Sequence, residues 1–166
     1  MSALSIRSAR EADLPRLTEI YNHYVLHTPF TFDILPLTGD DRKPWLAQFQ
    51  AGGRHRLLVA ERDGVVEAYA GSHPFRSKAA YETTVETTVY CAHGATRGGL
   101  GGHLYAALFA ALSGEDIHSF IAGITLPNEA SVRLHERCGF TLSGVMHGVG
   151  RKFGSYWDVA WYERVS

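Results

Sequence analysis

The stretch TTVETTVYCA, residues 83–92, leads through a few residues into GGLGGHLYAALFAAL, residues 98–112, and this junction constrains the fold more than any other segment. The first part alternates β-branched residues with period two, as a half-buried strand does. The second sets four glycines in five positions around Leu100, which repeats as Leu104 and Leu108 at i, i+4, i+8 on one helix face. A strand feeding a helix in this way calls for a layered α/β or α+β arrangement with the helix lying on the sheet. The helix N-terminus would also expose unpaired N–H groups and the positive end of its dipole, and glycines let a ligand approach them, which suits an anion such as phosphate. A plain structural turn is the alternative.

The flanking segments fill out that arrangement. LSIRSA reads as a short strand, and READLPRLTEIYNHYVLH, residues 10–27, as a helix with Leu14, Leu17, Ile20, Tyr21, Tyr24 and Val25 on one face. An irregular segment rich in aromatics and proline, His27 to Asp41, precedes a second helix over DDRKPWLAQFQA, stopped by Gly52 and Gly53. HRLLVAE and VVEAYAGSHPF pair as a hairpin about Asp63 and Gly64. After the apolar helix come a strand HSFIAGITL, a helix NEASVRLHERCG, and closing strands around FTLSGVMHGVG and SYWDVAWYERV. No repeat or long linker divides the 166 residues, so one mixed α/β (α+β) domain spanning 1–166 is expected.

Formal net charge is −1, so the global balance points to neither nucleic acid nor an anionic membrane as partner. Charge enters at Arg7, and no apolar run reaches the roughly 18 residues of a spanning helix; neither a leader peptide nor a membrane span is expected. Cys91 and Cys138 have no CxxC or Cys/His spacing and read as free thiols in a reducing cytoplasm, with no metal expected. Two nucleotide motifs are weakened as well. A Walker A loop needs Lys then Ser or Thr after its last glycine, but Gly102 is followed by His103 and Leu104. A dinucleotide fingerprint needs a third glycine and an acid on the next strand; Gly99-Leu100-Gly101 lacks the first, and FIAGITL lacks the second.

Glu86 stands out, because a carboxylate within a strand of β-branched and aromatic residues is costly to bury without a partner or a purpose. Alternation puts it on the face of Thr84, Thr88 and Tyr90, with Val85, Val89 and Cys91 opposite. It is either a functional base or a strand-edge or salt-bridged glutamate. In NEASVRLHERCG, Pro127 ends the preceding strand and Asn128 suits a helix N-cap. Ala130, Leu134 and Cys138 form the expected core stripe, whereas Asn128, Ser131 and His135 share a polar face that meets a cofactor or simply solvent.

Taken in order, YNHYV, TVETTVY, GLGGHLYAAL and LPNEASVRLHERCGF resemble the GNAT superfamily of N-acetyltransferases, and within it the phosphinothricin and methionine sulfoximine acetyltransferase branch, over most of the chain. The pyrophosphate loop of that family, Q/R-x-x-G-x-G/A, falls on Thr96, Arg97, Gly98, Gly99, Leu100 and Gly101, with Thr96 in place of the usual Gln or Arg. The resemblance implies a mostly antiparallel mixed sheet flanked by helices, acetyl-CoA as co-substrate, a small-molecule amine as acceptor, and a homodimer. It further implies that amides from Arg97 through Gly98, Gly99, Leu100 and Gly101 to Gly102 hold the pyrophosphate, with Arg97 adding charge. Val89 and Cys91 would present backbone groups to the acetyl thioester, and Asn128 and Ser131 would contact the pantetheine arm or adenosine. Glu86 corresponds to the proposed general base. His135 occupies the position of a tyrosine that protonates the leaving thiolate in many relatives; it is either that acid or only a hydrogen-bonding partner of the cofactor sulfur.

By the same resemblance the loop SHPFRSKAAYE faces the substrate. Arg76 is the expected grip on a substrate carboxylate, since a guanidinium fork offers it two hydrogen bonds. Tyr81 lies in the same loop, and Phe30 and Phe32 either wall an amino-acid pocket or belong to the core. The expected reaction is acetyl transfer to the α-amino group of a small amino-acid-like acid of the phosphinothricin, methionine sulfoximine or methionine sulfone type. Two alternatives stay open: acetylation of a polyamine, aminoglycoside or protein N-terminus, and a CoA-binding sensor without turnover. A polyamine would need an acidic pocket, whereas the 73–78 loop is basic.

Overall fold

The structure, a computed structural model, describes residues 4–95 and 98–166. In chain order its elements are β1 (Leu4–Ser8), α1 (Leu14–His27), α2 (Gly39–Leu46), β2 (Leu57–Arg62), β3 (Val65–Pro74), β4 (Thr84–Cys91), α3 (Leu100–Leu112), β5 (Ser119–Leu126), α4 (Glu129–Arg137), β6 (Thr141–Lys152) and β7 (Ser155–Val165). The strands form one seven-stranded sheet in the order β1-β2-β3-β4-β5-β7-β6. Every neighbouring pair is antiparallel except β4 and β5, which run parallel. The result is a mixed α/β single domain, as expected.

Local chemistry explains the turns. Asp63 and Gly64 both adopt positive φ (51° and 79°), the two-residue geometry whose twist matches antiparallel strands, so β2 folds straight back on β3. On one face of the sheet α3 lays Leu100, Leu104, Tyr105 and Leu108 over Ala68, Ala70, Ala122 and Ala160. Those four alanines leave room for the helix to approach. On the other face α1 packs Leu17 and Ile20 against Val59, Val66 and Tyr69. Both faces of the central strands are therefore covered, which accounts for the apolar runs of β2 and β3.

Three local readings differ from the structure. The first helix begins with a separate 3-10 turn over Glu11–Asp13, and the α-helix proper starts at Leu14 with Pro15 in its first turn, where a missing N–H costs nothing. The second helix ends at Leu46; tighter i to i−3 bonds at Gln48 and Phe49 then carry the Phe49 ring down onto Gly71. In α4 the faces are not as expected: Ala130 is exposed, whereas His135 is 3% exposed. Leu134 and Cys138 do pack against the core.

Candidate active site

β4 and β5 pair only from Thr84 opposite Ser119 to Glu86 opposite Ile121. Beyond that point β4 follows β3 to Cys91 while β5 follows β7 to Leu126, so the sheet forks. The fork opens a cleft of about 960 Å³. Because side chains alternate, Glu86, Thr88 and Tyr90 line it from the α1 side, and Thr87, Val89 and Cys91 from the α3 side. The Ala92 amide bonds Glu67 on the β3 side at 2.7 Å, so alternation turns the amides of Cys91 and Val89 the other way, into the fork. Tyr24 donates its hydroxyl to the Cys91 carbonyl at 2.7 Å and holds that end of the strand.

Glu86 is half-buried at the vertex of this fork, on a central strand. Burial pushes its carboxyl above the ordinary glutamate range, and Arg76 pulls it partly back. Among the described residues it belongs to no ion pair, and β4 lies between β3 and β5, so it is neither the salt-bridged nor the strand-edge glutamate that the sequence also allowed. Its direct partner across β3 is His73, which burial holds below the usual histidine value.

The glycine segment reaches the cleft from the α3 side. Gly98 and Gly99 take positive φ (88° and 70°), a conformation that costs a residue with a Cβ about 1–2 kcal/mol, and Gly99 caps α3. Gly99, Leu100, Gly101 and Gly102 line the cleft and Gly98 does not. A helix begins here with first-turn amides that have no intrahelical acceptor. Gly101 serves a second purpose: a Cβ there would lie 2.8 Å from Leu134 Cδ2, so its absence lets α3 and α4 close up. Arg97, together with Thr96, lies outside the described residues.

On α4, Asn128 accepts the Ser131 amide at 3.2 Å and caps the helix. His135 Nδ1 lies 2.7 Å from the Ser131 carbonyl, which can only accept, so that nitrogen carries the proton. Nε2 is then the acceptor and takes the Tyr105 hydroxyl at 2.8 Å. Tyr105 is also 3.2 Å from Thr87 Oγ1, so the contacts cross from α4 through α3 to β4 beside Glu86. Burial holds His135 below the ordinary histidine range and keeps it neutral. Asn128, Ser131 and His135 all border the cleft.

The substrate-side candidates separate. Phe30 lines the cleft, whereas Phe32 lies on the backbone of Gly150, where a Cβ would overlap its ring. Arg76 is exposed, with its guanidinium 5.0 Å from the Phe75 ring centre and 5.8 Å from that of Tyr81. Arg76 and Tyr81 thus stand together, but neither lines the cleft; the Arg76 charge still favours the ionised form of Glu86. Sequence reasoning did not single out Tyr24, Thr88, Gly123 or Thr125, which also line the cleft, nor Tyr105. Tyr105 is fully buried on the leucine-rich face of α3, and a hydroxyl on that face was the signal available. Among the described residues no group of three or more His, Cys, Asp or Glu is arranged to hold a metal ion, and no helix is long and apolar enough to cross a membrane.

A forked sheet with a glycine-lined helix start on one side and a half-buried carboxylate on the other can hold an anionic carrier beside a proton acceptor, as a group-transfer enzyme requires. Residues 6–161 match the model of the acetyltransferase (GNAT) domain. The chain is 53% identical over 163 residues to a phosphinothricin N-acetyltransferase of Streptomyces coelicolor, covering 97% of this chain and 95% of that protein. It is 39% identical over 161 residues to an L-methionine sulfoximine/L-methionine sulfone acetyltransferase of Salmonella typhimurium, covering 96% and 93%. A solved phosphinothricin acetyltransferase from Sinorhizobium meliloti, in complex with AcCoA, superposes with a TM-score of 0.92 at 30% identity, covering 98% of this chain and 88% of that one. The chain belongs to the GNAT acetyltransferase family.

Proposed function

We propose that this enzyme acetylates the α-amino group of a small amino-acid-like acid of the phosphinothricin or methionine sulfoximine type. The carrying observation is Glu86, a half-buried carboxylate without an ion-pair partner among the described residues, at the vertex of a cleft open to both faces of the sheet. Acetyl-CoA bound in the cleft supplies an activated acetyl thioester. The site fits it on the α3 side, where glycines leave backbone amides accessible beside the fork-facing amides of Val89 and Cys91. The amides of Gly99 to Gly102 hold its pyrophosphate, and Asn128 and Ser131 border the arm.

An amine attacks only when neutral, so the ammonium proton must leave first. Glu86, directly or through one water, accepts it, and the raised proton affinity of its carboxyl suits that task near neutral pH. A fork-facing amide of Val89 or Cys91 donates to the carbonyl oxygen on which charge develops. As the C–N bond forms the C–S bond breaks, and the second proton, shed by the nitrogen, goes to the departing thiolate; His135, with its N–H on the Ser131 carbonyl and its lone pair on the Tyr105 hydroxyl, positions the wall rather than acting as the acid itself. Arg76, outside the cleft lining but near enough for its charge to favour ionised Glu86, receives the substrate carboxylate with Tyr81 beside it, and Phe30 bounds the amino-acid side chain.

Two further features support a cytoplasmic homodimer. Cys91 and Cys138 are both free thiols, as a reducing compartment keeps them. Ile34, Leu35, Phe153 and Tyr156 are exposed at 58% or more, and Ile34 and Phe153 border one shallow groove. An apolar surface of this kind suits a second copy of the chain.

The test is CoA thiol release with acetyl-CoA and L-phosphinothricin, L-methionine sulfoximine, methionine sulfone, spermidine or an N-terminal peptide. Turnover of an amino-acid analogue carries the proposal. Reaction with only spermidine or the peptide removes the carboxylate role of Arg76. Binding of CoA with no turnover of any amine makes the protein a sensor.

A further inference from the structure

Arg42 is 4% exposed, yet among the described residues it has no carboxylate partner. Its guanidinium instead lies 3.8 Å from the Trp45 ring centre and 4.5 Å from that of Tyr21, and donates to the Leu17 carbonyl at 3.1 Å. A buried cation held by aromatic faces fixes the rings it touches, because tilting either ring away leaves the desolvated charge with little beyond the Leu17 carbonyl in return.

Tyr21 passes that constraint on. Its hydroxyl donates to Asp33 Oδ2 at 2.6 Å and is equally close to Thr31 Oγ1, and its ring meets Tyr90 edge-on at 5.3 Å. Asn22 on the same helix holds Leu37 through two bonds, its amide to the Leu37 carbonyl at 2.7 Å and the Leu37 N–H to its oxygen at 2.9 Å. From the opposite side the buried Lys152 donates to the Thr31 carbonyl at 2.8 Å, and Phe32 sits on Gly150. The segment 28–38 has no regular structure of its own, so these side-chain ties set its course. Phe30, on that segment, lines the cleft, as does Tyr90.

We propose that Arg42 and Tyr21 are positioning residues for the amine pocket: the caged guanidinium fixes the Tyr21 ring, the Tyr21 hydroxyl fixes Thr31 and Asp33, and the segment so held places Phe30. Neither residue touches the reacting atoms. The pocket assignment rests on the function proposed above, while the tie between Tyr21 and the segment does not.

The experiment takes Tyr21→Phe, Arg42→Met, Arg42→Lys and the double variant Tyr21→Phe/Arg42→Met in the full chain. Tyr21→Phe keeps the ring and loses only the hydroxyl. It is expected to raise the KM for the amino-acid substrate about tenfold, with the KM for acetyl-CoA within about twofold, since displacement of a pocket wall penalises one substrate and not the other. Backbone amide exchange over 28–37 should quicken while that of α3 stays at the wild-type rate. Arg42→Met should behave alike, Arg42→Lys should recover part of the loss, and the double variant should be no worse than the poorer single one, as expected for two members of one chain of contacts. Unchanged exchange over 28–37 in Tyr21→Phe overturns the proposal, as do equal shifts in both KM values or fully additive effects. If Arg42→Met does not fold, Tyr21→Phe decides alone. If the wild-type enzyme accepts no amino acid, the function reading fails, and the exchange measurement still decides whether Tyr21 holds the segment.

Discussion

Glu86 and Ile121 form the last pair of the parallel β4–β5 ladder, and the strands part beyond them. The candidate base therefore stands where one wall of the cleft becomes two, on its α1 side. Replacing Glu86 by Gln keeps the shape and removes the proton acceptor. The expected loss in kcat/KM near neutral pH is about 10²- to 10⁴-fold, with CoA affinity within about twofold by titration calorimetry. A loss confined to CoA affinity would assign Glu86 to cofactor binding.

The pH profile gives a second reading of the same group. Turnover needs ionised Glu86, and burial raises the pH at which it ionises, so the acidic limb of kcat/KM should lie above the ordinary glutamate value of about 4.3. Arg76 favours the ionised form. Arg76→Ala removes that help, so the limb should move to higher pH, separately from any rise in the amine KM.

Tyr105→Phe strands His135 Nε2 as a buried acceptor without a donor. A stability loss of about 1–3 kcal/mol in urea unfolding is expected. His135 is neutral in the fold and held below its unfolded value of about 6.5, so the unfolded chain binds more protons as pH falls below that value. Stability should decline there, and His135→Gln should flatten part of the decline.

Gly101→Ala adds a methyl 2.8 Å from Leu134 Cδ2. The helix gains about 0.5–1 kcal/mol in propensity, but Leu134, which lines the cleft, must rotate or α4 must move out. We expect the Kd for CoA to rise about three- to tenfold with little change in melting temperature; a large fall in melting temperature with unchanged Kd would place the strain in the core instead.

Ile34→Asp puts a charge on the exposed apolar groove. If the groove joins two copies, sedimentation should show a dimer for the wild-type chain and a monomer for the variant. Equal masses would release this surface from that role.

The layout of the site was readable where a residue conflicts with its surroundings. Glu86 in a β-branched strand and glycines at a helix start violate local preference, and such violations are visible without a structure. Residues that obey local preference were silent. Tyr21 and Tyr24 satisfied a helix face and read as core, although one ties down the 28–38 segment and the other holds the Cys91 carbonyl. His135 was placed on an open polar face because spacing reports angle around a helix and not which side meets the body of the protein; it is buried against Tyr105.

By itself the sequence determined the alternation that makes the strands, the leucine stripe of α3, the turn at Asp63 and Gly64, and the family, because all of these depend on near neighbours or on ordered motifs along the chain. Only the tertiary structure decided where β4 and β5 separate, which of Phe30 and Phe32 reaches the cleft, and that Arg42 is buried with no acidic partner among the described residues. Those outcomes depend on contacts between segments tens of residues apart, such as Lys152 with Thr31, and no local pattern encodes the energy of a contact whose partner arrives from elsewhere in the fold.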